Sequence, residues 1–479
     1  MKKTFTLLIM VIFLFAVEQA NSQIEYGAFN ATGSGFSVVS LTDYQTLGVN
    51  PANLGWKRNG HTFNLGFFEG GFSIFSEPLN KQEVFKDLIG DSKNFSDASA
   101  RTEAIVNFTD TKLLIKFTEN IFGFSYQDEK IGGFAFTIRN NVYWNSTLNR
   151  TASEFLFMGY NSPYFDSIYV SPNGDTTGYS TNPELASELY HPTEVSHVLY
   201  NEYILGYGRK FVDKENFKFY AGLDIKLLQG YGILNYNSIS QTKVEGYQAL
   251  ANGYGVKYSD PTPSAMSGDG FKTAGMGFGV DIGVSFEVNQ NIRIGLALND
   301  IGSIKWDGNV YEGRNVNIFE ISTPGINSYN IFSESGGLIA DNTNLGKWKG
   351  LESKTVQLPM HMRLGASYQP LENVTFGGEF FYGFNDELPG ALTEPFYSVG
   401  TRYLPADWVQ LSLGFNYGGG FGWNIPLGVT FIPVNKENVT WQLGFASRDL
   451  ATWLRQKDPH VSLVMGFLRF SFGVKQQEK

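Results

Sequence analysis

The sequence predicts an all-β fold: a transmembrane antiparallel outer-membrane β-barrel of about fourteen strands, with an N-terminal segment set apart from it. Three observations lead there. Apolar and polar residues alternate over stretches longer than ordinary strands. The connections between those stretches alternate between short and long. The composition, with 54 Gly, 41 Phe and 15% aromatic residues against 17% charged, is unusual for a water-soluble globule.

The alternation is clearest from Met276, where the chain reads "MGFGVDIGVSFEV". Met276, Phe278, Val280, Ile282, Val284, Phe286 and Val288 fall on one face; Gly277, Gly279, Asp281, Gly283, Ser285 and Glu287 fall on the other. Successive side chains of a strand point to opposite faces, so this is one strand with an apolar side and a polar side. The pattern recurs near residues 217–228, 374–383, 409–417, 423–431 and 439–446. A soluble sandwich also alternates, so the connections decide. Short polar turns occur at 213–216, 289–291, 371–373, 405–407 and 433–438. Long segments lie near 161–195, 241–271, 307–355, 385–393 and 447–458, with one tight turn at 418–420. Short turns at one end and long loops at the other are the mark of an outer-membrane barrel, whose strands of about ten residues cross the bilayer at a tilt. Trp408 and Trp441 lie by short turns and Trp144, Trp306 and Trp423 toward the loops, which predicts two interfacial girdles.

Thirteen strands are expected from 118–126 to 459–473, and 61–68 ("HTFNLGFF") makes fourteen. Residues 72–76 and 102–108 would make sixteen if both were extra strands. A helix is expected from Asn80 or Lys81, with Val84, Leu88 and Ile89 as its apolar stripe.

The N-terminus divides into two parts. Residues 1–22 read as a secretory signal peptide: Lys2 and Lys3, an apolar run from Thr6 to Val17, then small residues Ala20 and Ser22 before the cut. Removing them changes the formal net charge from −10 to about −11, since two of the 36 basic and one of the 46 acidic side chains leave with them. An acidic chain is a poor partner for nucleic acid. No cysteine is present, which excludes a lipidated cysteine, disulfides and Cys-ligated metal. Residues 23–60 show little alternation. Their stretch "VNPANLGW" (49–56) is turn chemistry, and irregular backbone at membrane depth is tolerated only inside protein or a wet lumen. The segment therefore hangs free or plugs the bore, and residues 61–479 form the barrel.

The stretch "GSGFSVVSLTDYQTLGVNPANLGW" resembles the N-terminal signature of the long-chain fatty acid transporter superfamily of outer-membrane barrels, through Asp43, Asn50, Pro51, Ala52 and Leu54. Asn53 departs from it, standing where that family commonly has Gly. "GYGRKFVDKENFKFYAGLDIKLLQG" (206–230) is also similar to a family of unknown function in the same clan. The resemblance implies a hatch inside a fourteen-stranded barrel and passage of hydrophobic molecules such as fatty acids. The superfamily also includes barrels that partner the type IX secretion machinery. Two function classes follow. One is hatch-gated passive transport of small hydrophobic molecules. The other is a non-transporting barrel that acts as scaffold or partner of a secretion or surface-assembly complex.

Charge on a lipid-facing side costs about 2–4 kcal/mol at the bilayer midplane. The ionisable residues on the other side of their strands are therefore expected to line the lumen: Arg139, Asp224, Lys226, Asp281, Glu287, Arg293, Arg363, Glu379 and Arg402. Gly275, Gly277, Gly279 and Gly283 would leave room for a close backbone or a passage. No catalytic, cofactor-binding or metal residues are expected. The five His include no His-x-x-x-His pair, no Gly-x-Ser-x-Gly elbow occurs, and Asp341–Asn344 has the composition of a solvated loop.

Overall fold

The computed structural model describes residues 28–473 apart from 57–61, 89, 91–94, 96, 257–259, 330–346, 420–421 and 451–459. The signal segment, Ile89 and the 341–344 stretch lie outside the described residues.

Fourteen long strands close into one antiparallel barrel. They are β1 (Phe63–Ser76), β2 (Lys112–Asp128), β3 (Gly132–Thr147), β4 (Glu194–Lys214), β5 (Phe217–Ser240), β6 (Gly275–Val288) and β7 (Ile292–Trp306), followed by β8 (His361–Leu371), β9 (Val374–Gly383), β10 (Phe396–Ala406), β11 (Val409–Gly418), β12 (Leu427–Lys436), β13 (Val439–Ser447) and β14 (His460–Phe472). Each pairs with its sequence neighbours, and β14 pairs with β1 from Phe63↔Phe472 to Phe75↔His460, so no barrel edge is left open. The short turns sit at one end and the long connections at the other. Phe278, Ile282, Leu296, Val399, Leu413 and Phe445 are among the large apolar residues exposed on the outside, which is the apolar band a bilayer requires. Among the described residues no helix is long and apolar enough to cross a membrane.

The extra strands are absent, which settles fourteen over sixteen. Residues 72–76 continue β1, because Phe68 takes a left-handed backbone (φ 53°) and absorbs the break in alternation. Residues 102–108 belong to helix α1 (Ala98–Phe108): Asp97 caps it by accepting from the Ala100 amide at 2.8 Å, and Ala104, Ile105 and Phe108 form its buried side. The helical turn after Asn80 is present but short, Lys81–Glu83 running into a wider turn at Val84–Leu88, with an Asn80–Glu83 capping box.

Strands β4 and β5 have 21 and 24 residues and rise past bilayer depth. Their extensions and the long connections build a cap at the loop end. It includes α1, α2 (Arg150–Met158), and a small sheet of Ser167–Val170, Thr176–Tyr179 and Glu320–Ile321. Its core is apolar and aromatic: Phe155 stacks on Phe165 (centroids 5.2 Å), Phe108 on Tyr329 (5.6 Å), and Phe95 meets Phe157 edge-on (5.5 Å).

Two of the expected girdle tryptophans are elsewhere. Trp408 and Trp423 are exposed as expected. Trp306 is fully buried, because the bulge between Leu298 and Ile301, with Asp300 at φ 59°, reverses the phase of β7 and turns Ile304 and Trp306 inward. Trp144 is covered by the cap core.

Candidate functional site

Residues 28–56 lie within the barrel as a plug of short turns: a helical turn at Phe29–Thr32, then 3₁₀ turns at Asp43–Thr46 and Pro51–Gly55. The sequence accounts for the last of these. Pro51 supplies the fixed φ of the first turn position, and Asn50 caps it by accepting from the Ala52 amide at 3.2 Å. The Asn50 amide nitrogen also donates to the Val38 carbonyl (3.2 Å) and to Ser285 Oγ on β6 (2.9 Å). Asn53, the residue that departs from the resembling signature, donates to the carbonyls of Val38 (3.0 Å) and Leu41 (2.9 Å) and accepts from Ser285 Oγ (2.9 Å). Glycine there would make none of these side-chain bonds. Ala52 packs with Trp56 and Tyr220, and Leu54 with Tyr44, Leu47, Ala135 and Ile204.

The lumen-facing charges meet the plug one after another. Asp43 pairs with Arg469 (2.5 Å). Asp224 accepts from the Gly48 amide (3.0 Å), and Arg139 donates to the Leu47 carbonyl (3.0 Å) while facing Glu202 (3.4 Å). Arg363 pairs with Glu379 (2.6 Å), and Glu379 also accepts from the Ser37 and Val38 amides. Arg402 donates to Ser34 Oγ, the Phe36 carbonyl and Ser40 Oγ, and lies 4.9 Å from the Phe36 ring centre. Arg293 sits 4.7 Å over Trp56 and 3.4 Å from Glu287, which also holds Lys218 (2.9 Å). Lys226 bridges Asp281 (3.0 Å) and Asp300 within the wall. Of the nine lumen residues read from the sequence, Arg139, Asp224, Arg293, Arg363, Glu379 and Arg402 touch the plug directly. Lys226 and Asp281 brace the wall, and Glu287 steadies Arg293.

Other charges here escape the sequence list. Arg469, on β14, lies just past a phase break, where Phe467 and Leu468 are both exposed and the register with β13 shifts, so alternation read from the start of the strand turns it outward. Glu202 is legible by parity, with Tyr200 and Ile204 buried on its side of β4 and Leu205 exposed on the other. Glu69, which accepts from Tyr44 (2.9 Å) and Gln45 (3.1 Å), follows the Phe68 break, and Asp300 sits in the β7 bulge; at both positions alternation fails.

Small residues line the contact. A side chain added at Gly206 would run into Leu47, at Gly208 and Gly222 into Pro51, at Gly283 into Asn50 and Pro51, at Gly377 into Phe36, and at Gly400 and Gly414 into the Ser34 carbonyl. Of the four β6 glycines, Gly283 alone faces the plug; Gly275 gives room to Trp306, Gly277 to Ile304 and Gly279 to Leu358.

Two cavities lie in line on the loop side of the plug. The inner, of about 60 Å³, is charged: Lys116, Arg139, Glu202, Lys226, Asp300 and His361 line it above Gly48 of the plug. His361 is buried on the inner side of β8 beside Arg363, and its ring stacks on Phe381. The outer cavity, of about 560 Å³, opens at the loop end. Tyr143, Pro389 and Gly390 line both, forming the floor of one and the roof of the other. Tyr247 lines the outer cavity and donates to the Glu387 carbonyl (2.9 Å). Burial pushes its phenol up to about 12, so it remains a donor at neutral pH.

Ser73 Oγ and His460 Nε2 lie 2.8 Å apart across β1 and β14, both buried and closed off from solvent. Among the described residues no group of three or more His, Asp or Glu is placed to hold a metal.

The fold is similar to those of several solved barrels. The Pseudomonas putida toluene transporter TodX aligns over 94% of this chain and 99% of its own at 12% identity (TM-score 0.44). The TodX deltaS2S3 mutant monoaromatic hydrocarbon channel aligns over 93% and 98% at 12% identity (0.48). A Pseudomonas aeruginosa FadL homologue aligns over 95% and 100% at 11% identity (0.42). No curated protein matches the chain in sequence. A family model matches residues 59–436, most of the chain. The chain belongs to that family, the family of unknown function DUF5723.

Proposed function

We propose that this chain is an outer-membrane channel that takes up small hydrophobic molecules, fatty acids among them, and that residues 28–56 are its gate. The carrying observation is the seat of the plug. Its contacts with the wall are mostly hydrogen bonds, charge pairs and glycine-lined backbone approaches, beside small apolar contacts of Leu54 with Ala135 and Ile204 and of Trp56 with Tyr220. Polar bonds of this kind exchange for water at a net cost of about 0.5–1.5 kcal/mol each, rising to about 1.5–3 where one group is charged. A glycine-lined wall offers few side chains to interlock with a moving segment. The signal peptide read at residues 1–22 and the apolar outer band agree with this location.

The chain has no cysteine, which permits a direct test. The Val38 side chain lies against Gly365 of β8. A Val38→Cys, Gly365→Cys pair would tether the plug to the wall when oxidised. Liposomes bearing this variant should take up radiolabelled long-chain fatty acid when reduced and stop when oxidised. Equal uptake in both states would remove the plug from the path.

The second reading is a non-transporting scaffold or partner of secretion machinery. The cap favours it: a packed aromatic core covers much of the loop end and presents exposed Ile168, Tyr169, Val170 and Phe319. Absence of uptake in both redox states, with the barrel folded, would select it.

A further inference from the structure

We propose that the outer cavity is a binding site for a neutral saccharide, separate from the gated path and independent of whether the barrel transports. Its back wall is built by two adjacent cross-strand pairs of β4 and β5, Glu194↔Asn237 and Ser196↔Asn235. Directly opposed residues on one face sit about 4.5–5.5 Å apart across strands, and alternate residues about 6.5–7 Å apart along a strand. A carboxylate, a hydroxyl and two carboxamides thus occupy the corners of a patch the size of a sugar ring. Together they offer both donors and acceptors, as neighbouring sugar hydroxyls require. The facing wall comes from the 384–395 connection, with Asp386, Thr393 and Glu394.

The charges argue for a neutral ligand. Four carboxylates (Glu194, Asp386, Glu387, Glu394) against Lys354 repel an anion. They do not form a bare cation trap either. Glu194 already accepts from Asn145 (3.0 Å), Glu387 from the Gln357 amide (3.0 Å), and Lys354 lies 5.0 Å over the Tyr247 ring. Such committed carboxylates retain lone pairs for hydroxyl donors. The volume of about 560 Å³ lies within the roughly 300–1,000 Å³ of small-molecule pockets. Asn237, Lys354, Asp386 and Thr393 are exposed at the mouth, while Ser196 and Tyr143 are buried at the bottom, so a ligand enters from the loop end.

The test is titration calorimetry on the full chain in a detergent without a sugar headgroup. The probes are methyl glucoside, methyl galactoside, lactose and maltose, with glucuronate and spermidine as charged comparisons. At least one neutral sugar should bind saturably, and glucuronate at least about tenfold more weakly. Asn235→Leu should weaken the neutral sugar by about tenfold, the loss of a hydrogen-bonding group. Asn237→Ala, at an exposed position that folding tolerates, should weaken it by a smaller factor. Heat-dependent gel mobility confirms that each variant is folded. No saturable binding of any neutral sugar, binding of spermidine alone, or unchanged affinity in both folded variants would each overturn the proposal.

Discussion

The plug and the cap are held to the same barrel by different chemistry. Between residues 28–56 and the wall, the contacts are mostly Arg402 with Ser34 and Ser40, Glu379 with the Ser37 and Val38 amides, Asp43 with Arg469, and glycines under Pro51 and Phe36, with only small apolar contacts such as Leu54 on Ala135 and Ile204. In the cap, Phe95, Phe108, Phe155, Phe157 and Tyr329 pack ring on ring. Apolar packing has no substitute in water, whereas each hydrogen bond of the plug does. The cap is therefore held by packing that water does not replace, while most of the plug's wall contacts are hydrogen bonds that water can.

The sharpest way to break this contrast is in the cap. Phe157→Ala removes a fully buried ring and should destabilise the cap by about 3–5 kcal/mol. Limited proteolysis of the long connections should show it, while the barrel stays closed to polar solutes. Leakage caused by this change would mean that cap and plug are one unit. Next comes Asp43→Ala. It leaves Arg469 buried with its closest carboxylate gone, a loss of about 3 kcal/mol. Here leakage of small polar solutes from liposomes should appear with the cap still resistant to protease. Gly222→Leu follows, because its side chain would occupy the place of Pro51. Overpacking of about 1–3 kcal/mol should lift the plug near its Asn50–Leu54 turn and give a smaller leak. The mildest is Asn53→Gly, which removes the bonds to Val38, Leu41 and Ser285. It should cost about 1–2 kcal/mol, read as faster hydrogen exchange of the 38–54 amides without measurable leakage.

Period-two alternation carried most of the barrel into view, because a wall with lipid on one side and protein on the other imposes it on every strand. The same rule places Arg139, Asp224, Arg363, Glu379 and Arg402 on the lumen side from the sequence. It failed where the backbone breaks phase. The left-handed residue Phe68 hid Glu69 and split β1 in two on paper, and the β7 bulge turned Trp306 inward. The cap was least legible. Its helix α1 follows a polar connection and shows only three buried residues, and its partners come from three separate loops. Which wall charge meets which plug atom is set by curvature and shear, which no single strand records.

The central claim, that residues 28–56 close an otherwise open barrel, is tested most directly by planar-bilayer conductance of the chain with and without that segment. The intact protein should show no steady current in potassium chloride, and the shortened one a persistent ohmic conductance of uniform size. A shortened barrel that folds, inserts and still carries no current would contradict the account, because the cap and the wall side chains would then close the bore without the plug.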